Sequence, residues 1–195
     1  VQKFDWERCG KGDGKFDASK LNAISAEHLR RPELTSDETF AASVLPFLEK
    51  RGVGEAEIDR RALSLAIPLV RPRAENLVDA ADKLDYFFRE PPAFDDKAVK
   101  KFLVADKATH LPALRAILAS LDDFSKAAIE GAITAWLADK GLELKDVAQP
   151  ARVALTGRSA SPGLHEVLEV LGKERSLARL DRGIAIASGS SVAGA

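Results

Sequence analysis

"PGLHEVLEVLGKERSLARLDRGI", residues 162–184, holds two apolar stripes separated by one glycine. Leu164, Val167, Leu168 and Leu171 recur at helical spacing, Gly172 interrupts, and Leu177, Leu180 and Ile184 resume the same period. Residues spaced i, i+3, i+4, i+7 share one face of a helix, so each stripe is the buried edge of an amphipathic helix. Pro162-Gly163 suits a helix start and Gly172 a helix stop. Upstream, the same spacing appears in Phe40, Val44, Phe47 and Leu48, in Leu111, Leu114, Leu118 and Leu121, and in Ile129, Ile133, Trp136 and Leu137. Strand-like alternation is scarce. The expectation is an all-α chain of about ten short helices.

The end signals agree. Asp17, Asp95 and Ser125 are placed as N-caps, and Thr35 to Glu38 has capping-box spacing. Gly52 and Gly141 follow basic residues where helices should stop, whereas Pro46 should kink the helix around it. Glu90-Pro-Pro-Ala93 cannot continue a helix. It divides the chain into residues 1–92 and 93–187, two consecutive small helical bundles, ahead of a flexible tail at 188–195. No repeat period marks a solenoid.

Composition narrows the function. The 195 residues carry a net charge of −1, which disfavours nucleic-acid binding driven by total charge and leaves room for a local basic face. Cys9 is the only cysteine and the three histidines are scattered, so neither a disulfide nor a zinc pattern is expected. No apolar run approaches the roughly 20 residues of a membrane span. The expectation is a cytoplasmic protein with no membrane partner and no DNA partner, monomeric, and, since it starts at Val1, part of something longer.

Catalytic signatures are missing: there is no GxxxxGK[ST], HExxH or GxSxG. "GKGDGK", 10–15, lacks the hydroxyl of a phosphate loop and suits a surface turn. His28 and His110 fit solvated helix faces, and His165, at a helix start, is expected to be exposed.

Two basic places remain. Arg71 and Arg73 flank Pro72, and with Pro68 breaking the helix both would project from a stiff connector. The stretch "QPARVALTGRSASPGLHE", 149–166, is too rich in Gly, Ser and Pro for a core helix and is expected to be a loop. From 149 to 182 six cations (Arg152, Arg158, Lys173, Arg175, Arg179, Arg182) stand against four acids (Glu166, Glu169, Glu174, Asp181). These arginines suit surface ion pairs, each worth little. They also suit a loop that reads an unstacked base. In that case guanidinium forks, the hydroxyls of Thr156 and Ser161, the amides after Gly163 and the Leu164 side chain converge on it.

The longer stretch "KDVAQPARVALTGRSASPGLHEVLEVLGKERSLARLDRGIA", 145–185, resembles the closing motif of bacterial glutamyl-tRNA synthetases. "FDWERCGKGDGKFDASKLNAISAEHLRR" (4–31), "LPFLEKRG" (45–52) and "IPLVRPRAENLVDAADKLDYFFREP" (67–91) look like preceding segments of the same family. The resemblance covers residues 4 to about 186. It implies a helical, two-part anticodon-binding region. In the family that region follows a Rossmann-type catalytic domain whose HIGH-like and KMSKS-like motifs do not occur here.

The implied partner is the anticodon loop of tRNA-Glu. ATP and Mg are implied only for the catalytic half, so this chain is expected to hold no cofactor and to be inactive alone. Arg152 is implied to contact the first anticodon base, with Ser161, Pro162, Gly163 and Leu164 around it. Arg73, or else Arg71, is implied to select the third base. Gln149, Thr156 and Arg158 complete the candidate set, with Lys173, Arg175 and Arg179 as expected phosphate contacts. Two departures from the family pattern stand out: "AISAEHLR" (23–30) at the first helix, and His165 where Phe is common. The competing class is a helical protein-interaction module with no RNA role.

Overall fold

The computed structural model describes residues 17–91 and 93–189. Cys9, "GKGDGK" and the tail from residue 190 lie outside the described residues. Ten α-helices and no strand occur among the described residues. They are α1 (Ala18–Arg30), α2 (Asp37–Lys50), α3 (Arg60–Val70), α4 (Leu77–Phe88), α5 (Asp96–Phe102), α6 (Leu111–Ser120), α7 (Lys126–Lys140), α8 (Leu144–Thr156), α9 (Leu164–Leu171) and α10 (Lys173–Ala187).

The caps follow side-chain chemistry. Asp17, Asp95 and Ser125 each accept from backbone N–H groups of the helix they precede. At the 35–38 box the cap is Ser36, whose hydroxyl accepts from Thr39 N, one residue later than the Thr35 cap expected. Both hydroxyls offer the same acceptor, and spacing alone does not choose between them. Gly141 ends α7 at φ 62°, where an L side chain would clash with its own carbonyl.

The prolines correct two expectations. Pro68 lies inside α3 and does not break it; the break comes after Val70, in a one-turn 3-10 helix at Arg71–Arg73. Pro150 lies inside α8, so residues 149–156 are helix and only 157–163 form the loop. An interior proline costs one ladder bond and about 3 kcal/mol. In α8 the burial of Val147, Ala151, Val153, Ala154 and Leu155 outweighs it.

A single apolar cluster runs from Phe40 to Leu180 and crosses the Pro91 connector. On one side α2, α3 and α4 pack together; on the other α10 lies against α6 and α8. Helix α9 touches α3 and α4 as well as α7, α8 and α10, so the two sets of helices meet along it. Phe40 and Phe87 are completely buried, each stabilising the fold by about 1.5–3 kcal/mol relative to exposure. Gly157 joins the connector to α8: it sits at φ +73°, its missing Cβ would stand 3.2 Å from Pro91, and its carbonyl accepts from Asp95 N at 2.8 Å.

Gly183 sets the approach of α10 to α8. A Cβ there would overlap the Ala154 methyl and stand 3.3 Å from Ala154 Cα. Alanine is the better helix former by about 1 kcal/mol, so Gly183→Ala should stabilise if propensity governed. Overpacking of a helix crossing costs about 1–3 kcal/mol and should win. Urea denaturation is expected to show net destabilisation; a variant more stable than the parent would contradict the close crossing.

Candidate nucleic-acid interface

The loop between α8 and α9 is built by the end of α8. The buried Thr156 hydroxyl donates to Arg152 O at 2.8 Å and accepts from Arg158 N at 3.2 Å. It shapes the turn and is spent inside it. One helical turn earlier, Arg152 reaches across the loop. Its Nε donates to Ser161 Oγ at 2.8 Å and its Nη2 donates to Ser161 O. Burial holds this guanidinium below the ordinary arginine range, and the nearby charge of Arg73 pushes the same way. No carboxylate pairs with Arg152 or Arg73 among the described residues. A desolvated cation without a counter-charge remains costly until an anionic or acceptor-rich group arrives.

That group has somewhere to sit. A cavity of about 190 Å³ opens beside the loop, with Arg73, Lys83, Arg152 and Arg158 around it and Leu69, Val70, Tyr86 and Pro162 as its apolar walls. The fold thus brings the connector after α3 and the loop after α8 to one place. Arg73 is exposed and donates back to Leu69 O at the end of α3. Arg158 is fixed by α4: Nη1 donates to Asp82 Oδ2 at 2.7 Å and to Asp82 O at 2.8 Å, and Nη2 to Asp85 Oδ1 at 3.3 Å. Its guanidinium carbon lies 5.8 Å from the centre of the Tyr86 ring. A larger hollow of about 490 Å³ lies between α2 and α3, but Asp37, Glu38 and Glu55 outnumber Arg60 on its rim, the wrong balance for a polyanion, and no candidate residue lines it.

Several expected contacts are corrected. Arg71 is 4% exposed; it donates to Asp37 at 2.6 Å and to the carbonyls of Leu29 and Thr35, so it clamps the α1–α2 junction and cannot select a base. Leu164 is 4% exposed within the core and offers no face to a base. The first turn of α9 is not bare either, because the Glu166 carboxylate folds back over Gly163 and pairs with Lys126 at 2.7 Å.

Lys173, Arg175 and Arg179, expected at phosphates, each reach a backbone carbonyl of a neighbouring helix end. Lys173 donates to Leu121 O at 2.6 Å, Arg175 to Phe87 O at 2.8 Å, and Arg179 to Leu155 O and Arg89 O at 2.8 Å each. These carbonyls lie at helix C-termini, where cations are favoured, and Arg179 also pairs with Glu90 at 3.0 Å. His165 is half-buried rather than exposed, with Nε2 lacking a hydrogen-bond partner among the described residues. Gln149 is also half-buried, and its Oε1 lacks one too. His110 is half-buried at the start of α6, edge-on to Trp136 at 6.4 Å.

Tyr86, Lys83, Asp82 and Asp85 are missing from the expected set. They share one face of α4 at i, i+3 and i+4 spacing, and the charged face opposite its apolar one was the available signal. Tyr86 Oη is buried without a hydrogen-bond partner among the described residues, at a cost of about 1–3 kcal/mol. No helix among the described residues is long and apolar enough to cross a membrane. No His/Cys/Asp/Glu group among them is arranged to hold a metal.

Comparison with known proteins points the same way. The family described as "Anticodon binding domain" matches residues 39–184. A glutamate–tRNA ligase of Thermus thermophilus is 38% identical over 189 residues, covering 95% of this chain and 38% of the relative. One from Desulfosudis oleivorans is 36% identical over 180 residues, covering 92% and 38%. The crystal structure of a glutamate tRNA ligase from Elizabethkingia meningosepticum, in complex with its amino acid, superimposes with a TM-score of 0.78 at 27% identity. That match covers 93% of this chain and 35% of that one. The chain therefore spans a little over a third of the length of the curated relatives it matches.

Proposed function

The chain belongs to the family of anticodon binding domains, and on that premise we propose that it is the tRNA-binding region of a glutamate–tRNA ligase. It reads the anticodon loop of tRNA-Glu so that the parent enzyme attaches glutamate using ATP and Mg, which belong to a catalytic region. It works in the cytoplasm and as a monomer.

The observation that carries this reading is the meeting of Arg73 and Arg152 at one cavity, 79 positions apart in the sequence and neither paired with an acid among the described residues. Arg152, held in plane by Ser161 and backed by Pro162, contacts the first anticodon base; Arg73 contacts the third. Arg158 is neutralised by Asp82 and Asp85, and it shapes the wall. A guanidinium presented this way forms two parallel hydrogen bonds to a base edge, which separates one base from another by about 1–3 kcal/mol.

The test is a titration of the whole chain with tRNA-Glu and with an anticodon variant, at two salt concentrations. Arg152→Ala is expected to lose about 1–3 kcal/mol on tRNA-Glu and clearly less on the variant. Equal losses on both would remove base reading from Arg152. A parent chain that prefers neither RNA over an unrelated tRNA would remove the function.

A further inference from the structure

Resting on the RNA reading above, we propose that Lys83 holds one phosphate of the anticodon loop, so that Arg73 and Arg152 read bases on a backbone already fixed in register. Lys83 lines the same cavity as the two arginines, and its side chain is 34% exposed, so an entering strand reaches it. Its ammonium carries more than one N–H donor. Among the described residues Nζ makes a single hydrogen bond, within an ion pair to Asp79 one turn back on α4.

The other cations of the cavity are bound more firmly or shaped for another task. Arg158 gives both Nη groups to Asp82 and Asp85. Arg152 is held against Ser161 by Nε and Nη2, and the planar fork of an arginine suits a base edge. Lys83 is a point charge on a flexible stem, which meets a phosphate oxygen without demanding one direction. Its pair with Asp79 has i, i+4 spacing, where a partly exposed pair contributes little. Asp79 is not stranded when the ammonium turns away. Its Oδ2 accepts from Glu75 N at 2.9 Å, and it lies in the first turn of α4, where a carboxylate is favoured.

A strand that puts one base at Arg152 and another at Arg73 brings the intervening backbone, with its charge on every nucleotide, to this wall. Arg73, Lys83, Arg152 and Arg158 line the cavity and no carboxylate does, so a phosphate is drawn in. A phosphate contact fixes position and carries no sequence information. Lys83 therefore adds affinity for any tRNA, and the preference for one anticodon stays with the arginines.

Lys83→Gln removes the charge and keeps the length of the side chain. Full-length variant and parent are titrated with tRNA-Glu and with an anticodon variant at about 50 and 200 mM salt. At the lower salt the titration is repeated with tRNA-Glu in which each anticodon-loop phosphate in turn is a neutral methylphosphonate. The Lys83→Gln protein is expected to lose affinity for both RNAs alike. Its salt slope should fall by about 0.7, so that its gap to the parent narrows about 2.5-fold between the two salts. One methylphosphonate should weaken the parent and leave the affinity of the Lys83→Gln protein unchanged, which a general change in charge would not produce.

An unchanged salt slope would overturn the proposal, and so would a series in which every methylphosphonate costs parent and variant equally. If the parent still prefers tRNA-Glu in either case, the RNA reading stands without Lys83. A larger loss on tRNA-Glu than on the anticodon variant would make Lys83 a base contact and would also overturn the proposal. A parent that does not bind tRNA-Glu in preference to an unrelated tRNA would overturn both.

Discussion

Arg179→Ala is expected to lower folding stability by about 4 kcal/mol, although Arg179 carries the charge of a surface residue. Arg179 is 2% exposed. From the middle of α10 its Nη1 donates to Leu155 O near the end of α8, its Nη2 to Arg89 O just past α4, and its Nε to Glu90 at 3.0 Å. The Glu90 side chain is 57% exposed, so that ion pair contributes little. The cost comes from the two carbonyls. Left without a donor, each loses about 1–3 kcal/mol, and the space vacated by the stem adds more. For a chain of this size the midpoint of thermal unfolding should fall by roughly 10 °C. Urea denaturation measures the loss directly. A variant within about 1 kcal/mol of the parent would mean that the guanidinium does not join these helices. Binding of tRNA-Glu per folded molecule should be unchanged, which a phosphate contact at this position would not allow.

The fold was legible because its signals are local. Leu164, Val167, Leu168 and Leu171 lie on one buried face as their spacing requires, and Asp17, Asp95 and Ser125 cap the helices they precede. The stretch at 149–156 misled because Gln149 and Pro150 suggest a loop, while the apolar face continuing through Val153 and Leu155 decides for helix.

The site was legible only in part, and the reason is physical. A cationic side chain shows its charge in the sequence but not its acceptor. Arg71, Lys173, Arg175 and Arg179 carry the same charge as Arg152, yet each finds a carbonyl at a helix end, and those carbonyls leave no mark in the sequence. Tyr86 fails in the opposite direction: inside "LDYFF" it reads as core, and it is core on every side except the one facing the cavity.

Asp85→Ala should show that the cavity wall is held from behind. The Asp85 side chain is 4% exposed and accepts from Arg51 Nε at 2.9 Å, Arg51 Nη2 at 2.7 Å and Arg158 Nη2 at 3.3 Å, with Arg89 at 4.0 Å. Removing one partner of a buried pair costs about 3–5 kcal/mol when the remaining charge is stranded. Here Asp82 stays within 2.6 Å of Arg51 and 2.7 Å of Arg158, and about a third of each arginine side chain reaches solvent. Both facts reduce the cost, and about 3 kcal/mol is expected. The effect on binding has two signs. One fewer carboxylate behind three guanidiniums raises the positive potential at the cavity, so affinity for any tRNA at low salt should rise. Arg158 keeps Asp82 on Nη1 and Nη2 but loses its 3.3 Å bond to Asp85, so its position over Tyr86 loosens and the preference for tRNA-Glu over an anticodon variant should shrink. Asp85→Asn keeps the shape and one acceptor, and should recover part of the stability while keeping the change in salt dependence. An unchanged preference in Asp85→Ala, measured where the protein is folded, would mean that the position of Arg158 has no part in reading the RNA.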